Sequence, residues 1–158
     1  MNALVVYDSV FGNTKRIAFA IANALTEKVD DVETLDVRMV RPDRVCDVDI
    51  LIVGSPTRGF RPTGDTVEFL NAIPDKALTG IKVAAFDTRI SEQDVKSRLL
   101  PAMMKLFGYA ARPIGKRLVA KGGHLAVAPE GFFVQASEGP LKEGELERAA
   151  DWAKKVLS

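Results

Sequence analysis

The chain has 158 residues, of which 47% are hydrophobic and 27% charged, and its formal net charge is +1. This balance is typical of a folded globular protein and excludes a disordered tail, and the length fits a single domain over residues 1–158. A nearly neutral chain provides no overall attraction for nucleic acid or for a membrane surface.

Targeting and metal signals are missing from the sequence. A strand pattern begins within a few residues of Met1, which leaves no room for a signal peptide, and no apolar run approaches the roughly 20 residues of a membrane-spanning helix. We therefore expect a cytoplasmic protein. Cys46 is the single cysteine and His124 the single histidine, so the sequence predicts neither an internal disulfide nor a metal-ligand cluster.

The first third of the chain reads as strand, helix and strand. The apolar run that ends at Asp8 predicts a buried strand, and a polar turn then leads into an amphipathic helix that stops near Val29. The alternation over Val32 to Val37 predicts a short strand, whose polar alternate positions favour the edge of a sheet.

The middle of the chain supplies two more strands. Val48 to Gly54 is apolar on both faces, which is typical of a central parallel strand. The segment from Ser55 to Pro62 carries two prolines and a glycine and is predicted to be a loop, followed by a short helix capped within Thr63 to Asp65. Ile81 to Phe86 predicts another buried strand, which delivers Asp87, Thr88 and Arg89 as a third loop.

The last third continues the alternation of helices and strands. Its predicted elements are a helix starting at Ser91 to Asp94 with a break at Pro101, a helix from Arg112 to Lys121 stopped by Gly122 and Gly123, a strand from His124 to Ala128 that resumes at Phe132 to Val134, and a closing helix after Gly139 and Pro140. This pattern indicates a doubly wound α/β sandwich with a mostly parallel sheet. Five strands fit the order 2-1-3-4-5, in which ligands bind outside the carboxyl ends of the first and third strands.

The turn from Ser9 to Thr14 has the composition of an anion site. It joins a buried strand to a helix, so the unpaired backbone N–H groups and the dipole of that helix favour a phosphate above Gly12 to Thr14. Neither a nucleotide-triphosphate loop nor a dinucleotide-binding glycine pattern is present in this turn. The alternative is a simple helix cap, with Asn13 or Thr14 as the N-cap residue.

The same turn resembles the phosphate loop of the flavodoxin family, whose pattern is [ST]-x-x-G-x-T after the first strand. The resemblance extends to Gly54–Thr57, Phe86–Arg89 and Glu138–Leu141, and it implies flavin mononucleotide (FMN) as cofactor. It places the phosphate in the first loop and the flavin ring between the second and third loops, with Phe60 as the candidate for ring stacking. The implied cofactor-binding residues are Ser9, Val10, Phe11, Gly12, Asn13, Thr14, Pro56, Thr57, Arg58, Gly59, Phe60, Asp87, Thr88 and Arg89.

Two classes of function remain open at this point. The resemblance implies an electron carrier that acts between protein redox partners, and the alternative is an FMN-dependent reductase of a quinone or another small acceptor. A third possibility is a flavodoxin-like module with weak or no flavin binding. Many flavodoxins carry a strongly acidic surface, whereas this chain is near neutral and has Arg58, Arg61 and Arg89 in the loops expected around the ring. These arginines either ease reduction of the flavin, or they point to solvent or pair with Asp65, Glu68 or Asp87.

Overall fold

The computed structural model describes residues 1–91 and 108–158. The predicted helix start at Ser91 to Asp94 and the predicted break at Pro101 lie, apart from Ser91 itself, outside the described residues. Within the two described ranges, none of the helices combines the length and the apolar content needed to cross a bilayer.

The sheet has the predicted order. In the described ranges its strands are β1 (Asn2–Tyr7), β2 (Asp31–Asp36), β3 (Ile50–Pro56), β4 (Lys82–Ile90), β5 (His124–Leu125) and β6 (Glu130–Val134). They run in the order β2-β1-β3-β4-β5, with β6 also paired to β4, and every pairing between them is parallel. The predicted fifth strand is thus two short segments, because Pro129 lies in the interruption and has no N–H to donate to the ladder.

The helices cover both faces of this sheet. The α-helices of the described residues are α1 (Asn13–Leu25), α2 (Gly64–Ala72), α3 (Ala111–Ala120) and α4 (Glu145–Val156), and two short 3₁₀ helices, Val37–Met39 and Pro42–Asp47, lie between β2 and β3. Apolar residues of α1 and α4 form one core with one face of the sheet, and those of α2 and α3 form a second core with the other face. The doubly wound sandwich is therefore confirmed.

Two strands run further than predicted. β3 continues through Ser55 to Pro56, and β4 continues to Ile90, so Asp87, Thr88 and Arg89 are strand residues, and the prediction that they form a loop was wrong. The register pairs Pro56 with Thr88, and the Thr57 N–H donates to the Thr88 carbonyl at 2.9 Å. The ladder therefore extends past the polar residues, because each has a partner in the neighbouring strand.

Two helix ends also differ from the predictions. α1 ends at Leu25, four residues before the predicted stop near Val29. The closing helix α4 begins at Glu145, because Leu141 first pairs with Val134 in an antiparallel bridge. Gly144 then takes a left-handed φ of 85° as the N-cap residue, a conformation that glycine adopts without steric penalty.

Candidate functional site

A glycine takes the N-cap position of α1. Gly12 has a φ of 92° there and no side chain of its own, so the interpretation with Asn13 or Thr14 as the N-cap was wrong. The Ser9 hydroxyl oxygen instead accepts from the N–H groups of Gly12, at 3.0 Å, and Lys15, at 3.3 Å. This side chain fixes the shape of the loop from inside.

Four backbone donors between Val10 and Thr14 remain unpaired. The N–H groups of Val10, Phe11, Asn13 and Thr14 donate to no acceptor among the described residues. Two of them belong to the first turn of α1, where the helix dipole adds partial positive charge. Unpaired donors at a helix start favour an anionic oxygen.

Thr14 is tied to the neighbouring strand. Its side-chain hydroxyl lies 2.8 Å from that of Thr88, and both residues are buried. A hydroxyl can donate one hydrogen bond and accept two, so each partner keeps capacity for a further bond. The contact joins the first loop directly to β4, across 74 positions of sequence.

The second loop contains a tight turn. Arg58 and Arg61 exchange backbone hydrogen bonds of 2.8 and 3.0 Å, and the two residues between them have left-handed φ values, 55° for Gly59 and 68° for Phe60. Positive φ at both central positions defines a type I′ turn. At the end of this loop, the Thr63 hydroxyl donates to the buried Asp8 carboxylate, which braces the second loop against the end of β1.

Asp87 and Arg89 form an ion pair inside the protein. The Arg89 guanidinium donates to the two Asp87 oxygens at 2.7 and 2.6 Å, and the Ala111 N–H donates to the same carboxylate at 2.9 Å. The Asp87 side chain is fully buried and that of Arg89 is 19% exposed. Burial raises the pKa of Asp87 above its usual range, and Arg89 opposes that rise. The face of the guanidinium also stacks on the Tyr109 ring at 3.6 Å.

A cavity of about 320 Å³ lies at the carboxyl end of the sheet, within the range of roughly 300–1,000 Å³ that is typical of small-molecule sites. Ten of the predicted cofactor-binding residues line it, and these are Val10, Phe11, Asn13, Thr14, Pro56, Thr57, Arg58, Gly59, Thr88 and Arg89. Ser9, Gly12, Phe60 and Asp87 are not among the lining residues. Ser9 and Asp87 instead hold lining residues in place. The aromatic residue on the wall is Phe11, and ring stacking by Phe60 stays a prediction.

Four lining residues were not predicted. Ile90 ends β4, Val134 ends β6, and Ser137 and Glu138 follow β6. The Asn13 side-chain amide donates to the Glu138 carbonyl at 3.1 Å, which holds this fourth segment against the first loop. The signal was present in the sequence, since a Gly-Pro loop after a strand beside β4 must reach the same edge of the sheet.

The arginines of these loops differ in their partners. Arg89 is neutralised by Asp87, as the second of the two alternatives predicted. Arg58 lies 5.8 Å from the centre of the Phe11 ring, and neither Arg58 nor Arg61 forms an ion pair with a residue of the described ranges. Arg58 is therefore the lining arginine whose charge is not cancelled by a carboxylate within residues 1–91 and 108–158.

The residues present fit FMN. Four unpaired N–H groups at a helix start suit a phosphate, and the cavity beside them continues over Pro56, Thr57 and Thr88 with mixed polar and apolar walls. This fold is that of a doubly wound α/β protein, and the unpaired donors lie at its switch point, where sheets of this kind bind ligands. A family model described as a flavodoxin domain matches residues 4–124. The chain therefore belongs to the flavodoxin family, whose members bind FMN and act in electron transfer.

One curated relative is similar to this chain in sequence, and two solved structures are similar to it in fold. The flavodoxin of Clostridium beijerinckii is 36% identical over 84 residues, which are 52% of this chain and 60% of that protein, so the match spans less than two thirds of the relative. Oxidised Flavodoxin 2 from Bacillus cereus superposes with a TM-score of 0.78 at 23% identity, covering 99% of this chain and 98% of that one. A flavodoxin from the domain Archaea has a TM-score of 0.74 at 24% identity and covers 100% of both chains.

Proposed function

We propose that this protein binds FMN in the cavity at the carboxyl end of the sheet and carries electrons between protein redox partners. The observation that carries the proposal is the set of four unpaired backbone N–H groups at the start of α1, on the wall of a cavity of about 320 Å³. FMN supplies one- or two-electron redox chemistry when bound.

The chain's own residues divide the work of holding this cofactor. The N–H groups of the first loop bind the phosphate, and the hydroxyl of Thr14, oriented by Thr88, adds a side-chain donor. The segment from Pro56 to Gly59 and the end of β4 form the walls that hold the ring. Phe11, which is 47% exposed and lines the same cavity, shields one part of the opening from water.

The test compares flavins with and without the phosphate. The protein is titrated into FMN and into riboflavin, and binding is followed by quenching of flavin fluorescence. We expect FMN to bind at least about 100-fold more tightly, because riboflavin leaves the donors of the first loop unpaired in a desolvated site. Equal affinity for the two flavins would refute phosphate binding by this loop.

Carrier and reductase are separated by turnover. An electron carrier exchanges electrons with redox proteins but shows no sustained consumption of nicotinamide cofactor when a quinone is the only acceptor. We therefore expect no turnover above that of free FMN at the same concentration. Turnover well above that control would favour the FMN-dependent reductase instead.

A further inference from the structure

Three large apolar side chains are exposed beside the first loop. Val10 is 51% exposed and Phe11 47%, and both line the cavity. Phe19, on the exposed side of α1, is 48% exposed and lies against Tyr7 with ring centres 6.2 Å apart. Val10 and Phe11 are adjacent on the cavity wall, Phe19 lies two helical turns further along the chain, and exposed large apolar groups that cluster in this way mark interaction sites.

Cationic side chains border these apolar groups. The Lys15 ammonium lies 6.0 Å from the Phe19 ring centre and the Arg58 guanidinium 5.8 Å from the Phe11 ring centre. Arg61 is joined to Arg58 by the two backbone hydrogen bonds of the type I′ turn. We call Val10, Phe11, Phe19, Lys15, Arg58 and Arg61 the rim patch.

The charges of the rim patch are left uncancelled within the described residues. Lys15, Arg58 and Arg61 are exposed and form no ion pair with residues 1–91 or 108–158. The pKa of Asp36 is lowered mainly by Arg38, which holds both its oxygens, and more weakly by Lys15. Glu138 lines the same cavity but on the segment after β6. Glu68 lines the same shallow depression as Arg61 but forms no ion pair with it. The patch thus has three positive charges that no carboxylate of the described residues holds in an ion pair.

We infer that the rim patch is a docking surface for a redox protein whose own contact face is acidic. This inference rests on the proposed function, since it places the partner over the opening of the cofactor cavity. Phe11 and Phe19 provide the apolar contact, since aromatic rings buried on binding are enriched among the residues that dominate interface energies. Lys15, Arg58 and Arg61 select the sign of the partner and increase its association rate.

The primary test measures complex formation rather than electron transfer. The FMN-loaded protein is titrated with two probes, a plant-type ferredoxin, which is acidic, and cytochrome c, which is basic, at 20 and 200 mM salt, and binding is followed by amide chemical shifts. We expect tighter binding of the ferredoxin by about tenfold or more at low salt, with the difference reduced at high salt. Stronger binding of cytochrome c, or binding of a 20-nucleotide single-stranded DNA more tightly than ferredoxin, would overturn the inference.

Two matched pairs of variants assign the effect to the rim patch. Lys15→Gln/Arg61→Gln removes two charges outside the cofactor-binding residues, and Lys154→Gln/Lys155→Gln removes two exposed charges at the end of α4. We expect the double variant Lys15→Gln/Arg61→Gln to weaken ferredoxin binding about 3- to 10-fold at low salt and the control Lys154→Gln/Lys155→Gln to weaken it less than about 2-fold. Phe19→Ala should weaken binding as well, whereas Val119→Ala, at the same 48% exposure on α3, should not. Equal effects within either pair would overturn the inference.

A separate arm distinguishes the inference from the proposed function. The same titration is made with FMN-free protein, and the flavin content of each variant is read from its visible absorption. Ferredoxin binding that depends on Lys15 and Arg61 supports the docking surface even if FMN affinity proves low, and only the proposed function then fails. Full FMN loading with no preference for the acidic probe would leave the proposed function standing and would overturn the docking surface alone.

Discussion

Gly131→Ala tests the buried ion pair that supports one wall of the cavity. Gly131 lies opposite Asp87 in the β4–β6 register, and the Arg89 side chain folds across it. A Cβ atom at position 131 would stand 2.1 Å from Nε of Arg89 and 2.2 Å from its Cζ. No pair of non-bonded atoms tolerates such a distance, so the guanidinium has to leave its place between Asp87 and Tyr109.

The expected loss of stability follows from the contacts that Asp87 keeps in the variant. Asp87 would keep only the Ala111 N–H, and breaking a buried ion pair on one side costs about 3–5 kcal/mol. Since Arg89 is 19% exposed and its side chain can retain part of the interaction from a new position, we expect a loss of about 3 kcal/mol in the free energy of unfolding at pH 7.5.

The loss should depend on pH in a defined direction. Burial already raises the pKa of Asp87, and displacement of Arg89 removes a group that opposes this rise. A carboxyl whose folded-state pKa is raised contributes stability below its unfolded pKa, about 3.9, and that contribution is lost as pH rises through the folded pKa. The destabilisation by Gly131→Ala should therefore be small at pH 4 and reach its full size at pH 7.5.

The assay is urea unfolding of the FMN-free protein, which avoids linkage to cofactor binding. Fluorescence of Trp152 reports the transition, since this residue is 4% exposed and packs edge-on against Phe132 with ring centres 6.0 Å apart. Gly64→Ala is the control, because nothing lies within 4 Å of its Cβ position, and its effect should stay within about 0.5 kcal/mol. In an Arg89→Ala background, Gly131→Ala should add almost nothing. The reasoning would be refuted if Gly131→Ala lost about 3 kcal/mol of unfolding free energy in the Arg89→Ala background as well, or if its loss in the otherwise unchanged protein did not vary with pH.

Three further changes test other contacts of the fold and the site. Thr88→Val removes the partner of the Thr14 hydroxyl and should weaken FMN binding about fivefold with no change in riboflavin binding. Thr88→Ser keeps the hydroxyl and should retain the affinity of the unchanged protein. Equal weakening for both flavins would contradict a role of this contact at the phosphate. Burial works against ionisation of Glu145, but the hydrogen bonds from Arg148 and the Phe133 N–H outweigh it and lower its pKa. Glu145→Gln should therefore reduce the free energy of unfolding, measured by urea titration, by about 1–3 kcal/mol at pH 7. The reduction should become smaller as the pH falls below about 4.3. Arg58→Gln should make the reduction potential of the bound flavin more negative in a redox titration. Asp87→Asn/Arg89→Gln leaves the net charge unchanged and should shift the potential less. A larger shift in the double variant than in Arg58→Gln would contradict the assignment of the uncancelled charge to Arg58.

The fold was predictable because its strands carry an unambiguous signal. Residues 4–6 and 50–53 are apolar, buried on both faces and uninterrupted, and such runs occur in central parallel strands. The ends of β3 and β4 were not predictable in the same way. Ser55 and Asp87 are fully buried but polar, and a polar residue indicates a loop until its partner is known. The partners, Thr63 for Ser55 and Arg89 with Ala111 for Asp87, appear only in the folded chain.

The candidate site was predictable where it is local in sequence. The loop from Ser9 to Thr14 forms its turn and its helix start within six residues, so its pattern alone indicates an anion site. The position of Ser137 and Glu138 after a strand beside β4 indicates the right edge of the sheet, but the contact of Glu138 with Asn13 spans 125 positions of sequence, and no local pattern encodes such a contact. The position of Phe60 is likewise set by the type I′ turn, whose left-handed φ of 68° a phenylalanine rarely adopts.

The pairing of polar groups explains which parts of the site remain available to a ligand. The Asp8, Asp87 and Ser9 side chains each accept hydrogen bonds from other groups of the protein, so they shape the cavity and leave the backbone N–H groups of the first loop as its unpaired donors. The charged side chains differ in the same way. Asp87 cancels the charge of Arg89 inside the wall, whereas the charge of Arg58 at the opening is not cancelled by a described carboxylate. A phosphate therefore meets neutral donors in the interior of the site, where a bare charge would be costly to bury. The positive charge stands at the exposed rim, where it acts on whatever approaches the opening.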